Sequence, residues 1–281
     1  MNRERGAALI LVLMVTGVLG LLLLQFGLTA RAQVDQSQRL LDRAGAELRL
    51  RSREAELKFA LLTQPWVTAA AVAAPDGVAT KWRFDNQIFE LEGDSIRLQD
   101  VSGLMALPQG PGSMEEFEGL LMAVGVAPDR AKNAAVGLLA RLSAPGSLPI
   151  QSVLELRYLG LTVMEIDKLR AVSTSYPSQS FNPSTASKEV LTARYRSLSA
   201  QRALLALRQQ GKLDSMSYAA ILDNPVEDFT SFFPGPAFRL QIIVRQGLSA
   251  IGRERIWVVR PYDEEPMLLW ESRDLTPQNP I

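Results

Sequence analysis

The sequence contains no cysteine and no histidine. Without cysteine the chain forms no disulfide, and it has no thiolate to act as a nucleophile or a metal ligand. Without histidine it lacks the Ser-His-Asp triad, the usual zinc sites and the commonest general base near neutral pH. A P-loop, a G-x-G-x-x-G fingerprint and an EF-hand loop are also missing. These absences predict a protein that is not an enzyme and requires no cofactor.

The chain also lacks a net charge, because 30 basic residues balance 30 acidic ones. A neutral chain has no overall field to hold a polyanion, so we expect no nucleic acid as a partner. Apolar residues make up 47% of the 281 residues and charged residues 21%. That composition supports a true hydrophobic core in one or two lobes and argues against general disorder.

An apolar segment near the N-terminus is long enough to cross a membrane. The 18 residues from Ala7 to Leu24 carry no charge, and the next charged residue is Arg31. At about 1.5 Å per residue they span about 27 Å, close to the ~30 Å hydrocarbon core of a bilayer. Arg3 and Arg5 precede this run and place the N-terminus in the cytoplasm. The bulk of the chain is therefore predicted to lie across the membrane.

Three kinds of N-terminal segment fit this pattern. A secretory signal peptide is one, because residues 30–32 (Ala-Arg-Ala) resemble a small-x-small cleavage site. The uncharged run is nevertheless longer than the usual ~7–15 residue apolar region of such peptides. A plain single-pass anchor is the second. The third is a prepilin-type signal, in which a basic leader ending in Gly6 stands before the apolar run.

The residues after the apolar run favour the prepilin-type signal. Apolar residues recur every seven positions at Val34, Leu41, Leu48, Ala55 and Leu62, while charged residues fill the other faces, and no helix-breaking residue occurs before position 65. This predicts an amphipathic helix continuous with the membrane segment. A helix over residues 7–62 would be about 84 Å long, half in lipid and half packed on a domain. A cleaved signal peptide has no reason to be continuous with such a helix.

The residue pattern of the soluble part predicts strands, then helices, then strands. Strands are predicted at Lys81–Phe84, Gln87–Leu91, Ser95–Gln99, Phe238–Gln246, Arg253–Arg260 and Met267–Glu271. Helices are predicted at Met114–Ala123, Asp129–Leu142, Gln151–Tyr158, Val163–Val172, Ser187–Tyr195, Ser199–Gln210 and Ser217–Leu222. The strands on either side of the helical block are too few for a stable sheet of their own. We therefore predict an α+β fold in which one small antiparallel sheet forms from both sides, packs on the long N-terminal helix, and carries a large inserted all-helical lobe.

Acidic clusters are the candidate metal ligands. Carboxylates are the ligands that a hard cation such as calcium prefers, and Asp223, Glu227 and Asp228 in a proline-containing loop are the first choice. A solvated surface is the competing interpretation of this loop. Nothing in the sequence places a second group opposite these carboxylates for acid–base hydrolysis.

The region from Val153 to Leu169 resembles a helix-hairpin-helix unit, a motif that contacts the DNA backbone in other proteins. Residues 150–212 carry nine basic and four acidic side chains. However, the turn at residues 160–162 (Gly-Leu-Thr) lacks the second glycine of a phosphate-binding turn. A structural use is favoured, and the alternative function is a membrane-anchored periplasmic module that binds nucleic acid.

Three segments carry a resemblance to a known family. The leader ending at Gly6 and the apolar run from Ala7 resemble the class III signal of type IV pilin-like proteins. Most of those proteins have Glu as the fifth residue after the cleaved bond, whereas this chain has Leu11. That departure, together with residues Leu148–Thr162 and Phe181–Leu191, is similar to the K-type minor pseudopilin of type II secretion. In the last segment, Pro183 and Ser184 depart from the family pattern I-N-V-N-T-A.

The resemblance implies a complete organisation for the chain. Its segments would be a leader (1–6), a transmembrane half-helix (7–30), the soluble half-helix with the first strands (31–100), a helical lobe (101–225), the strands that complete the sheet (226–275) and a tail (276–281). A prepilin peptidase would cut between Gly6 and Ala7, leaving a single-pass protein of the bacterial inner membrane whose bulk lies in the periplasm. The implied partners are the I-type and J-type minor pseudopilins and membrane lipid, calcium is possible in the lobe, and Leu11 implies a place at the tip of a filament.

Overall fold

A computed structural model describes residues 2–63, 84–110, 114–178, 180–195, 197–223 and 226–275, with side chains from residue 13 onward. Its first element is helix α1, which runs without interruption over Asn2–Thr63. The predicted helix continuous with the membrane segment is therefore confirmed as far as Thr63. The predicted strand residues 81–83 and the tail 276–281 lie outside the described residues.

One five-stranded antiparallel sheet forms from strands on both sides of the helical block, as predicted. Its strands are β1 Asp85–Leu91, β2 Asp94–Asp100, β5 Ala237–Gln246, β6 Ser249–Val259 and β7 Met267–Leu275. They lie in the order β1-β2-β5-β6-β7, so β2 and β5, which flank the block in sequence, are neighbours in the sheet. Asp100 at the end of β2 is paired with Phe238 at the start of β5. The lobe therefore leaves and re-enters the sheet at one end.

Helix α1 packs on this sheet through a face that the seven-residue pattern does not mark. Its buried apolar residues are Ala46, Leu50, Leu57, Ala60 and Leu61, which join the inner faces of β2, β5 and β6 in one core. Leu41, Leu48 and the other residues of the predicted stripe are exposed instead. Both sets recur at helical spacing, so periodicity alone does not tell which of them meets the sheet.

The inserted lobe has a hydrophobic core of its own, separate from the core between helix and sheet. Its helices are α2 Met114–Ala123, α3 Pro128–Leu142, α4 Val163–Val172, α5 Lys188–Arg194, α6 Leu198–Gln209 and α7 Ser215–Leu222. Phe117, Leu120, Leu138, Leu156 and Leu169 are fully buried in its core. A short parallel pair, β3 Met105–Ala106 with β4 Ser173–Thr174, joins the start of the lobe to the residues that follow α4.

One predicted helix of the lobe takes a different form. The segment predicted as an α-helix over Gln151–Tyr158 is a 3₁₀ helix over Val153–Leu159. Ser152 and Glu155 form a capping box at its start, and Gly160 ends it in the left-handed conformation with φ of 77°. Such a tight segment is common where a short connection must end in a turn. It leads directly into α4, which begins with a second capping box, between Thr162 and Glu165.

Candidate assembly interface

The membrane half of α1 presents a continuous apolar surface. From Leu13 onward the helix is long and apolar enough to cross a membrane, and no residue of its most apolar window is buried by the rest of the chain. Its large exposed side chains include Leu13, Met14, Leu21, Leu23, Leu24, Phe26 and Leu28. Lipid or another helix must cover such a surface, because apolar side chains are unfavourable in water. The helix therefore fits a single-pass anchor.

The apolar surface continues beyond the membrane half as an exposed stripe of Val34, Leu41, Leu48, Ala55 and Leu62. We call these five residues the α1 stripe. Leu48 has 65% of its surface exposed, although it lies between two fully buried residues, Ala46 and Leu50. Each helical residue turns by about 100°, so a side chain two positions away points about 200° around the axis. The stripe therefore lies on the side of α1 opposite the sheet.

The β5–β6 turn fixes the lower part of the soluble half of α1. The Leu248 backbone N–H donates a hydrogen bond of 3.1 Å to Asp42 Oδ2. Gly247 at this turn has a positive φ of 54°, and an added Cβ there would collide with the Asp42 carboxylate. Gly45 in the helix faces Gln246 so closely that a Cβ would collide with that side chain. Because the atoms in the way are the flexible, exposed end of the Gln246 side chain, the glycine marks the close approach of the turn without being strictly required there.

The β1–β2 turn fixes α1 from a second side through buried charges. Asp94 is fully buried, and its Oδ2 accepts hydrogen bonds from Arg49 Nε at 2.8 Å and from Arg53 Nε at 2.9 Å. Arg53 also pairs with Glu92 in the same turn and with Glu56 one turn along the helix. Removing one member of such a buried group is costly, because the remaining charges stay desolvated. We call Arg49, Arg53 and Asp94 the turn clamp.

Ion pairs over strand β6 complete the attachment. Arg253 Nη2 lies 2.9 Å from Glu47 Oε1, and Arg255 Nη1 lies 2.8 Å from Glu54 Oε2. The hydrogen bond from Arg253 lowers the pKa of Glu47, so this carboxylate stays ionised near neutral pH. Further along, Lys58 Nζ lies 3.7 Å from the ring centroid of Trp257. These contacts extend from residue 42 to residue 58 and hold α1 flat on the sheet.

The lobe is joined to the sheet through one buried carboxylate, Asp100. Its oxygens accept hydrogen bonds from the Ser102 N–H and hydroxyl, from Asn182 Nδ2, from the Thr185 hydroxyl and from the Gly235 N–H. The donors come from the start of the lobe, from its middle and from the segment that returns to β5. Burial raises the pKa of the Asp100 carboxyl, and the hydrogen bonds oppose this shift. We call this group of residues the Asp100 junction.

A second connection joins the lobe to the sheet face opposite α1. Buried Arg239 on β5 donates to the backbone oxygens of Arg170 and Ser173 at 2.7 and 2.6 Å, beside the C-terminal end of α4. A cation there is favourable, because the last helical carbonyls carry partial negative charge. The Arg170 side chain in turn pairs with Glu254 and Glu271. Two separate groups of polar contacts thus fix how the lobe sits on the sheet.

The positions predicted for processing and assembly lie inside α1. Gly6, Ala7 and Leu11 belong to the helical backbone, and their side chains lie outside the described residues. The roles predicted for them therefore stay predictions.

The residues predicted to bind calcium are not assembled into a site. Asp223 ends α7 in the left-handed conformation, and Glu227 Oε2 lies 2.9 Å from Arg194 Nη2. A cation at Glu227 would have to displace or tolerate that guanidinium, which does not fit a calcium site. Among the residues that the structure describes, no group of three acidic side chains could hold a metal ion. Calcium binding by Asp223, Glu227 and Asp228 stays a prediction without support from this geometry.

The turn that resembles a helix-hairpin-helix unit already contains an anionic group. Glu165 Oε2 accepts hydrogen bonds from the N–H and the hydroxyl of Thr162, and Arg130 pairs with the same carboxylate. Arg130 and these Thr162 donors lower the pKa of Glu165 to about 2. A phosphate would meet an ionised carboxylate where the motif requires free N–H groups. This geometry favours a structural use of the motif.

No protein-family model matches the sequence, and no curated protein matches it. Among solved structures, the chain is similar to one chain of the GspK-GspI-GspJ complex from the type 2 secretion system of enterotoxigenic Escherichia coli. The similarity covers 88% of this chain and 99% of that chain, with 14% sequence identity and a TM-score of 0.49.

Proposed function

We propose that the chain is a non-enzymatic minor pseudopilin that helps to initiate assembly of the type II secretion pseudopilus. The observation that carries this proposal is the α1 stripe. It continues the exposed apolar surface of the membrane half and faces away from the sheet to which α1 is attached. A stripe with a seven-residue repeat fits side-by-side packing with other helices. The I-type and J-type minor pseudopilins are the partners that we propose for it.

A tip position is supported by where the lobe leaves the sheet. Asp42 of α1 contacts the β5–β6 turn. Lys58, which lies farther from the membrane segment, contacts Trp257 at the opposite end of the strands. Trp257 is paired with Phe238, and Phe238 with Asp100, where the lobe begins. The lobe therefore emerges at the end of the sheet farthest from the membrane segment. In a filament of parallel subunits it would occupy the space of the next subunit above.

The proposal requires processing at the predicted leader. Cleavage by a prepilin peptidase would give a mature chain that begins at Ala7 in the inner membrane, with its soluble part in the periplasm. We expect the intact mass of the protein purified from membranes to correspond to residues 7–281, with or without one added methyl group. A start at Gln33 would instead indicate a secretory signal peptide, and a start at Met1 a simple anchor. Either of those masses would overturn the pseudopilin assignment.

The second test concerns Leu11, the residue on which the proposed tip position depends. In pilin-like filaments the fifth-position carboxylate of a joining subunit would pair with the N-terminal ammonium of the subunit above it, and an unpaired charge in hydrocarbon costs several kcal/mol. Leu11 offers no carboxylate, so this chain should not join below another subunit through that pair, whereas its own ammonium can still pair with a subunit that joins below it. The variant Leu11→Glu should allow repeated incorporation of this chain, which cross-linking of filaments would detect as adjacent copies. Leu11→Met is the matched control, because it keeps the position apolar. Filaments indistinguishable between the two variants would contradict the tip assignment.

A further inference from the structure

Four exposed arginines lie at the end of the soluble part that is nearest the membrane segment. Within the part of the chain that the structure describes, none of them makes an ion pair: Arg31, Arg39, Arg43 and Arg245. The arginines of the turn clamp and of β6, which lie farther from the membrane segment, are all paired with carboxylates. Along the soluble half of α1, the arginines left without an ion pair are therefore those closest to the bilayer.

Acidic residues neutralise this end of the soluble part only in part. Residues 31–45 and the β5–β6 turn at residues 245–248 together carry four arginines and two aspartates, which gives a net charge of +2. One of the two aspartates, Asp42, is buried and accepts a hydrogen bond from the Leu248 N–H. Its charge therefore points into the chain, whereas the arginines point outward.

The basic side chains and one apolar side chain share a surface under the sheet. Arg39 and Arg43 lie on the side of α1 that faces the sheet, where they line a hollow together with Leu248 of the β5–β6 turn. Leu248 has 83% of its surface exposed. Arg245 is exposed close by, near the end of β5. We call Arg39, Arg43, Arg245 and Leu248 the basal surface.

The length of the uncharged segment favours a tilted α1 in a bilayer. The 24 residues from Ala7 to Ala30 carry no charge and lie in one helix, which makes this segment about 36 Å long. The hydrocarbon core is only ~30 Å thick. A helix that is longer than the core is accommodated by tilting, and a tilt of about 35° removes the difference.

A tilt toward the sheet brings the basal surface to the lipid headgroups. Leu248 lies at the level of Asp42, which is about 16 Å beyond Arg31 along α1. The sheet lies about 10 Å to one side of the helix axis, so a tilt of about 35° lowers the turn to about 8 Å above Arg31. The headgroup layer is about 5–7 Å thick on each side of the core. The Leu248 side chain and the long arginine side chains therefore reach it.

We propose that, before the chain joins any assembly, its basal surface rests on acidic phospholipid of the bilayer in which α1 is anchored. Arg39, Arg43 and Arg245 bind headgroup phosphates, and Leu248 lies among the headgroups. Opposite charge selects the sheet side as the direction of tilt, because the basic side chains lie on that side. A polyanion in solution is a poorer match, since a net charge of +2 is small and only the bilayer is held beside this surface. The inference depends on the membrane anchor and not on the function proposed above, so either can fail alone.

The absence of cysteine permits a single-site test in the full-length protein, reconstituted in lipid nanodiscs. Leu248→Cys carries the fluorophore NBD on the basal surface, and Met216→Cys carries it on an exposed position of the lobe as a control. A fraction of the lipid bears a spin label on its headgroup, which quenches NBD only at close range. The discs contain either phosphatidylcholine alone or phosphatidylcholine mixed with phosphatidylglycerol.

We expect quenching at position 248 in the acidic discs, little quenching there in the neutral discs, and little at position 216 in either. High salt should relieve it, because salt screens exposed charges. Arg39→Gln combined with Arg43→Gln should lower the ratio of docked to free chain roughly 30-fold, since each arginine near an acidic surface contributes about 1 kcal/mol and about 1.4 kcal/mol corresponds to tenfold. Both side chains are exposed and unpaired, so the fold should be unaffected.

The matched control replaces two exposed arginines of the lobe, Arg157→Gln combined with Arg202→Gln, and should leave the quenching unchanged. Equal quenching at position 248 in neutral and acidic discs would overturn the proposal, and so would its absence from both. Equal losses from the two pairs of substitutions would also overturn it, because the effect would then follow the total charge and not the basal surface.

Discussion

The variant Asp100→Ala should lower the free energy of unfolding by about 3 kcal/mol or more, since each buried donor left without an acceptor costs about 1–3 kcal/mol. The carboxylate is buried and accepts five hydrogen bonds. Alanine would leave the Asn182 amide, the Thr185 hydroxyl and the Gly235 N–H without that acceptor. Those groups belong to two segments that lie far apart in the chain, so the loss should loosen the lobe from the sheet before it affects either core.

Denaturant unfolding of the full-length protein in detergent measures this effect. Asp263→Ala is a suitable control, because Asp263 lies in an exposed loop where its pairing with Arg260 should contribute about 0–1 kcal/mol. Hydrogen exchange should show faster exchange at the Thr185 and Ala186 amides in the Asp100 variant, while the Leu50 and Leu57 amides of α1 remain protected. Equal stability of the two variants would show that the Asp100 junction does not hold the lobe.

Under the proposed function, the variant Leu48→Asp should remove most of the binding of this chain to the I-type and J-type subunits proposed as its partners. Leu48 lies in the middle of the α1 stripe, where a docked helix would desolvate the new carboxylate. An unpaired charge in an interface costs several kcal/mol, and about 3 kcal/mol corresponds to a roughly 100-fold weaker complex. Since Leu48 is exposed in the isolated chain, the fold itself should be unaffected.

Co-purification of the I-type and J-type subunits with tagged protein from detergent-extracted membranes measures the loss. Met216→Asp serves as the matched control, because Met216 has 81% of its surface exposed but lies on the helical lobe. We expect full recovery of the complex with this control and a normal unfolding transition for both variants. Wild-type recovery with Leu48→Asp would contradict the use of the α1 stripe as an assembly surface.

Much of the architecture could be predicted from the sequence because it depends on local signals. The uncharged run and the absence of breakers to Thr63 indicated a single long helix, and the β-rich composition of the segments that form β5 and β6 indicated strands. Because a helical block interrupts the strands, we predicted that the strands before and after it form one sheet. All of these follow from periodicity and turn residues, which act within a few positions of the chain.

The choice of the buried face of α1 required tertiary information. Two apolar sets recur along this helix, and the more regular one, which includes Leu48, is exposed. The face that packs also contains Arg53 and Glu54, which read as solvent residues until Asp94 and Arg255 are seen to pair with them. A sequence pattern treats these charges as surface, whereas the sheet supplies partners from about 40 and 200 residues away.

The Asp100 junction could not be predicted for a similar reason. Asp100 lies at the end of a strand and is one of thirty acidic residues, with nothing in the sequence that sets it apart. Its partners Asn182 and Gly235 are 82 and 135 residues away along the chain. One signal was available: Asn182 and Thr185 belong to the segment that carries the family resemblance, and both bond to Asp100. Two residues of the segment that resembles the family therefore help to attach the lobe to the sheet.

Under the proposed function, assembly would draw the chain out of the bilayer, and the turn clamp would then have a mechanical consequence. Traction on the chain would act along the axis of α1, whereas the Arg49 and Arg53 bonds to Asp94 and the Arg253 and Arg255 bonds to Glu47 and Glu54 cross from helix to sheet. Loaded in this direction, the contacts are sheared together and share the tension, while peeling the helix from one end would break them one after another. The folded domain would therefore move together with its membrane helix as one rigid body.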